Sequence, residues 1–90
     1  MSFEFDPAKS AANKDKHGID FVEAQALWSD TARIEVEART AGEARSLTIG
    51  QIGGELWAAI FTLRGAHIRL ISVRRARDEE REWYEGDQDS

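Results

Sequence analysis

Between Leu56 and Arg77 the chain carries five arginines, Arg64, Arg69, Arg74, Arg75 and Arg77, with His67 among them and no acidic residue. Arg64 closes one predicted strand, Arg69 lies inside the next, and Arg74 and Arg75 end it. On an antiparallel pair these arginine-bearing ends are expected to meet at one edge of the sheet. The strand period of two puts Ser72 and Arg74 on one face and Arg69 on the other. Converging guanidinium groups hold a phosphodiester and stabilise charge developing on it. Glu80, Tyr84, Lys16 and His17 are the proton carriers within reach if the helices pack over that edge. Metal-free RNA cleavage needs a base for the 2′-hydroxyl, cations for the pentacoordinate phosphate and an acid for the leaving oxygen. Each residue also has a purely structural reading. Arg69 pairs a buried acid, Arg74, Arg75 and Arg77 dock the acidic tail or a partner protein, His17 caps a helix, Trp28 and Trp57 pack in the core, and Trp83 and Tyr84 pack in a core or interface.

The elements that must position these side chains can be read from local pattern. Phe3-Glu4-Phe5 alternates as a short first strand. Asp6-Pro7 opens a helix as N-cap and first helical residue, and Gly18 stops it after His17. Ala8, Ala11 and Ala12 are expected to form its packing face. Asp20 and Glu23 have capping-box spacing, and Phe21, Ala24, Leu27 and Trp28 form the apolar stripe of a second helix. Four strands come next, over 32–37, 45–51, 56–63 and 68–73. Turns at Thr40-Ala41-Gly42, Gly53-Gly54 and Arg64-Gly65-Ala66 join them, and such short connections imply an antiparallel meander. Leu56 to Leu63 is almost wholly apolar, the mark of a central strand covered on both faces. A last helix runs from about Ala76 to Glu85, and residues 86–90 are a polar tail.

Composition narrows the function classes. Ninety residues form one domain, spanning 1–90. Cysteine is absent, which excludes disulfides, thiolate metal sites and thiol nucleophiles. Two histidines, without an HxH or HExxH pattern, argue against a metal enzyme, so no metal or cofactor is expected. Gly50, Gly53 and Gly54 lack the Gly-Lys-Ser/Thr of a phosphate loop. No apolar run approaches a membrane span, and the start of the chain has neither a basic nor an apolar leader region, so a cytoplasmic protein without membrane contact is expected. The net charge of −5 hides the arginine block, because residues 78–90 hold seven acids against Arg81 alone. No helix is basic along one face, which places direct DNA binding by this chain last.

The string resembles the BrnT family of bacterial toxins over nearly its whole length. The resemblance rests on Phe5-Asp6-Pro7-Ala8-Lys9, Asn13, Lys16-His17-Gly18, Phe21, Glu23-Ala24, Asp30, Gly42-Glu43-x-Arg45, Gly50, Phe61-Thr62-x-Arg64, the run from Ile68 to Ala76, and Glu80 with Tyr84. It implies an α+β, RelE-like fold, a twisted antiparallel sheet of four to five strands with two N-terminal helices and one C-terminal helix. It implies a ribonuclease that halts translation within a type II toxin–antitoxin system. It also implies a BrnA-like antitoxin with a ribbon-helix-helix domain, through which alone the complex contacts promoter DNA. Carried onto this sequence, Arg64, Arg74, Glu80 and Tyr84 are the expected catalytic residues. Arg69, Arg75, Lys16 and His17 are the expected RNA contacts. The chain departs from the pattern at Ser10, across 31–45, and in the acidic helix Asp78-Glu79-Glu80-Arg81-Glu82, which repels RNA. That departure supports an alternative, a catalytically weak subunit acting only through its complex with the antitoxin.

Overall fold

The structure, a computed structural model, describes residues 2–40 and 43–88. The chain runs β1 (Ser2–Glu4), α1 (Pro7–His17), a 3-10 helix (Glu23–Ser29), β2 (Ile34–Thr40), β3 (Glu43–Ile52), β4 (Glu55–Arg64), β5 (His67–Arg75) and α2 (Asp78–Gln88). The expected α+β class holds, and α2 runs three residues beyond the predicted end at Glu85. Of the predicted turn Thr40-Ala41-Gly42, Thr40 ends β2 and Ala41-Gly42 lies outside the described residues. The five strands form one sheet in the order β1-β5-β4-β3-β2. Strands β2 to β5 are the predicted antiparallel meander. The sheet is nevertheless mixed, not antiparallel throughout, because β1 joins β5 in parallel through Ser2↔His67, Phe3↔Ile68 and Glu4↔Arg69. No hairpin links β1 to its partner, so nothing forces it to reverse direction.

The turns and caps obey the local chemistry. Gly53 and Gly54 have φ of 56° and 83°, which makes the two-residue turn whose twist suits a hairpin. The Asp6 side chain accepts from the Ala8 N–H at 2.9 Å, and Gly18 closes α1 with φ 81°. The capping box also forms. Asp20 Oδ1 accepts from the Glu23 N–H at 2.7 Å, and Glu23 Oε1 accepts from the Asp20 N–H at 3.0 Å. The segment it introduces is a 3-10 helix rather than an α-helix. Phe21, Ala24 and Leu27 recur every third residue and are all fully buried. A strict spacing of three aligns side chains in a helix of three residues per turn.

Two apolar layers flank the sheet. On one face Ile19, Phe21, Ala24 and Leu27 pack on Ala59, Phe61, Ile68, Leu70 and Val73. Trp28 bridges Phe3 and Phe61 with edge-on ring contacts at 5.1 and 5.3 Å. On the other face Leu47, Ile49 and Ala58 pack with Ile34, Ile60, Ala76 and Tyr84. Both faces of β4 are thus covered from Leu56 to Phe61, as its composition implies, while Leu63 at its end is exposed.

Helix α1 docks in an unexpected way. Ala8, Ala11 and Ala12 are exposed, and the buried residues are Ser10 and Asn13. Strand β1 ends at Glu4, opposite Arg69, which leaves the backbone of β5 without a strand neighbour beyond that point. Asn13 takes over. Its Nδ2 donates to the Val73 carbonyl at 2.9 Å and its Oδ1 accepts from the Val73 N–H at 3.2 Å. Nδ2 also donates to the Ile19 carbonyl at 2.7 Å. Ser10 Oγ accepts from the Phe21 N–H at 2.9 Å. A buried backbone edge requires polar partners, which alanine lacks.

Strand β5 carries one irregularity. Ile60 pairs with Ser72 but Phe61 pairs with Leu70, so Ile71 is an extra residue, a bulge. The bulge lets Ile68, Leu70 and Val73 share the buried face despite their 2-then-3 spacing. It also shifts the phase of the polar residues on the strand.

Replacing Asn13 by Ala strands the Val73 N–H and the Val73 and Ile19 carbonyls in a buried setting. We expect a loss of about 2–4 kcal/mol of stability, less the few tenths alanine returns in helix propensity. Urea unfolding checks this, and an unchanged midpoint would refute the role given to Asn13.

Candidate functional site

The arginines do not converge at one edge. Arg64 pairs with His67 at the β4–β5 turn, whereas Arg74 pairs with Ala58, six residues back along β4. At a rise of about 3.4 Å per residue, that is roughly 20 Å. Nor do Arg69 and Arg74 lie on opposite faces. Arg69 pairs with Thr62 and Arg74 with Ala58, an even spacing, so the Ile71 bulge brings both to one face. Arg75 pairs with Trp57 on the other face, where its guanidinium sits 5.3 Å from the Trp57 ring centroid and Nη2 donates to Glu55 Oε2.

The Arg74 end of this face is a closed network. Arg74 donates through both terminal nitrogens to Glu80, at 2.7 and 2.8 Å. Glu80 is 6% exposed and also accepts from the Arg77 N–H at 2.8 Å, which caps α2. The Arg74 hydrogen bonds hold the Glu80 carboxyl below the usual carboxylate range against the opposing effect of burial. Tyr84 donates to Asp30 Oδ2 at 2.9 Å. Asp30 further accepts from the Ala32 N–H at 2.8 Å and the Gln51 N–H at 2.8 Å. Burial pushes the Asp30 carboxyl up, but these hydrogen bonds outweigh it and bring it down. Burial, then the bond to Asp30, raises the Tyr84 phenol. Glu80 and Tyr84 thus hold α2 to the sheet.

The Arg64 end is different. Here Lys9 of α1, Arg45 of β3, Thr62 and Arg64 of β4, and Arg69 and Ile71 of β5 line a polar depression of about 190 Å³. Four cations therefore surround one hollow. Glu4 lies against Arg69 at 3.8 Å, a long and half-exposed contact. Thr62 Oγ1 donates to the Ala44 carbonyl at 3.1 Å, which orients the hydroxyl. Among the described residues neither Lys9 nor Arg64 forms an ion pair. Clustered cations of this kind cost self-repulsion, which an anionic ligand relieves. The hollow is chemically suited to a phosphodiester, because guanidinium forks match its paired oxygens.

Of the sequence-predicted residues, the structure brings Arg64 and Arg69 together. It places Arg74, Glu80 and Tyr84 in the α2 network and Arg75 on the opposite face. Lys16 and His17 end α1, seven and eight residues beyond Lys9, about 11–12 Å along the helix axis. Residue type and spacing did not single out Lys9, Arg45 or Thr62 as members of the site. Arg45 was visible as the polar member of the alternating Arg45, Leu47, Ile49 face. Its meaning depends on the β3–β4 register, which no local pattern reveals.

Fold and hollow together define a small α+β domain with a cationic recess at the Arg64 end of one sheet face. Among known families, the model described as "Ribonuclease toxin, BrnT, of type II toxin-antitoxin system" matches residues 5–80. The chain belongs to this family, and it is a ribonuclease toxin whose system supplies an antitoxin partner. The match reaches from Phe5 to Glu80 and so includes every residue lining the recess. No curated protein matches the chain. Among the described residues no helix is long and apolar enough to cross a membrane.

The α2 network sets a pH dependence. The carboxyls of Glu80 and Asp30 titrate lower in the folded chain than their ordinary values of 4.5 and 3.8. Their stabilisation is therefore complete above those values and is lost as pH falls through the lower folded ones. Tyr84 titrates above its ordinary 10.0, so its contribution is present below pH 10.0 and is lost as pH rises further. Glu80→Gln should cost about 2–4 kcal/mol at pH 7, because it leaves the Arg74 charge at 19% exposure without its partner. Urea midpoints measured against pH should show that difference narrowing below pH 4.5, and a constant difference would exclude the assignment.

Proposed function

We propose that the chain is a metal-independent endoribonuclease of RelE-like architecture that acts in the cytoplasm to inhibit translation. The observation that carries this reading is the four-cation recess formed by Lys9, Arg45, Arg64 and Arg69. The recess takes the scissile phosphate, and the cations stabilise the added negative charge of the pentacoordinate state, the work a divalent ion does in other nucleases. Arg64 is the catalytic cation of this arrangement and Arg69 its companion on RNA. Arg74, Glu80 and Tyr84 support the recess by fixing α2 and the far end of β5. Lys16 and His17, at the far end of α1 from Lys9, extend the RNA-contacting surface, whereas Arg75, on the opposite sheet face beside Glu55, is set apart from it. Neutralisation falls to a BrnA-like ribbon-helix-helix antitoxin, and promoter DNA is contacted only through it.

A second reading has its own support. Asp78, Glu79, Glu82 and Glu85 are exposed on α2, and Glu80 and Tyr84 are committed to hydrogen bonds within the fold. A face of this sign repels RNA and attracts a basic protein. On this reading the chain is a weak catalyst that works through its antitoxin complex.

Cleavage of a long single-stranded RNA in EDTA separates the two. The antitoxin-free wild type should cut, and a folded Arg64→Ala, Arg69→Ala double variant should lose at least about a hundredfold in rate, since removal of one preorganised cation or donor costs about 10²–10³. RNA binding should weaken with salt, and each arginine removed should lower the log–log slope by about 0.7. Tight antitoxin binding without cleavage by a folded wild type would establish the second reading instead.

A further inference from the structure

Among the described residues, those lining the recess supply cations but no free proton acceptor. Lys9, Arg45, Arg64 and Arg69 are cationic, and the Thr62 hydroxyl donates to the Ala44 carbonyl. Glu80 and Tyr84 are locked in the α2 network. His17 stands at the far end of α1. The reaction still requires a group that accepts the 2′-hydroxyl proton.

The geometry points to His67 as that group, the proton-transfer residue of the ribonuclease site; this assignment rests on the ribonuclease reading above. His67 opens β5 and is paired with Arg64 across the turn and with Ser2 of β1 on its other side. Directly paired residues share a face, and so do residues two apart on a strand. His67, Arg69, Thr62 and Arg64 therefore stand on the same face, with His67 paired to Arg64 and two residues from Arg69, both of which line the recess. Side chains opposite one another on paired strands have Cβ atoms about 4.5–5.5 Å apart. A phosphate held by Arg64 and Arg69 places its attached ribose within reach of the imidazole. His67 is exposed and makes no side-chain hydrogen bond or ion pair among the described residues. The groups facing it are Glu4 of β1, which lies against Arg69, and the cations Lys9, Arg45, Arg64 and Arg69.

The step balances without a further reagent. The neutral imidazole takes the 2′-hydroxyl proton as O2′ bonds to phosphorus. The P–O5′ bond breaks with its electron pair on O5′, which takes a proton from water. The hydroxide left behind recovers the proton from the imidazolium. The products are a 2′,3′-cyclic phosphate and a 5′-hydroxyl end. An imidazole changes charge between about pH 5 and 8, where such a base is most effective.

The test compares antitoxin-free wild type, His67→Gln and His67→Ala on one defined single-stranded RNA in EDTA. Single-turnover rates are measured from pH 5 to 9, alongside RNA affinity and end-group analysis. We expect a loss of about 10²–10³-fold in rate for His67→Gln. RNA affinity should stay within about threefold, because on this reading Arg64 and Arg69, not His67, hold the phosphate. The acidic limb of the wild-type pH–rate profile should vanish in the variant, and added imidazole should restore His67→Ala. Wild-type cleavage matched within about threefold by both variants would overturn the role of His67 and leave the ribonuclease reading intact. A slowed variant with an unchanged pH profile and no imidazole rescue would likewise overturn it, since that pattern marks positioning alone. Absence of cleavage by folded wild type would overturn the metal-independent reading, and the role of His67 with it.

Discussion

One carboxamide holds the architecture in register. Strand β1 covers only the first three residues of β5, and the Asn13 side chain supplies the backbone pairing that a longer strand would have made. The same amide binds the Ile19 carbonyl, so α1, the entry to the 3-10 helix and the edge of β5 are fixed together. A side-chain amide presents the same donor and acceptor as a peptide group, which is why it substitutes for a strand here. Its placement matters for the site. It seats α1 at the β5 edge, and from there Lys9 reaches the recess.

The bulge at Ile71 is the second organising feature, and it explains why the arginines divide as they do. Without it, Val73 would face away from Ile68 and Leu70, and Arg74 would point into their apolar layer. A charge cannot be buried there without a partner except at a cost of several kcal/mol. With the bulge, Val73 enters the core and Arg74 meets Glu80 across the other face. The five-arginine block thus divides into separate tasks. Arg74 anchors α2, Arg75 stacks on Trp57 beside Glu55, and Arg64 and Arg69 join Lys9 and Arg45 around the recess. A single run of like charge is resolved by strand geometry into a group paired within the fold and a group around one recess.

Charge also separates along the molecule. The net −5 is concentrated in the last helix, while the hollow at the β4–β5 turn keeps its positive sign. The separation of about 20 Å between the Arg64 and Arg74 ends exceeds the Debye length of about 8 Å at physiological salt. The acids at the start of α2, beside Arg74, therefore weaken the field at the recess less than the overall charge implies. An acidic chain can carry a phosphate site on these terms, and its acidic face remains open to a basic partner.

Much of the fold was legible from short-range chemistry. Asp6-Pro7 and Gly18 bracket α1, Asp20 and Glu23 form a capping box, Gly53-Gly54 turns a hairpin, and alternation in 45–51 marks β3. These are decided within a few residues of chain, where cap, turn and period each act. The family itself was legible too, since its motifs are a matter of order and spacing. What the chain did not disclose lies at longer range. The 3-10 winding of Glu23–Ser29 was not legible, because the spacing of three from Phe21 to Ala24 to Leu27 fits an α-helical stripe as well as a 3-10 one. Strand β1 is parallel because of which edge stood open. Ser10 and Asn13, not the alanines, face inward because the backbone of β5 lacked a partner strand. Membership of the recess depends on the registers of β3, β4 and β5 and on one extra residue at Ile71. Residue type and spacing determined the elements and the stock of cations; only the pairing of distant strands, where a one-residue shift reverses every side chain, decided which cations meet around one recess.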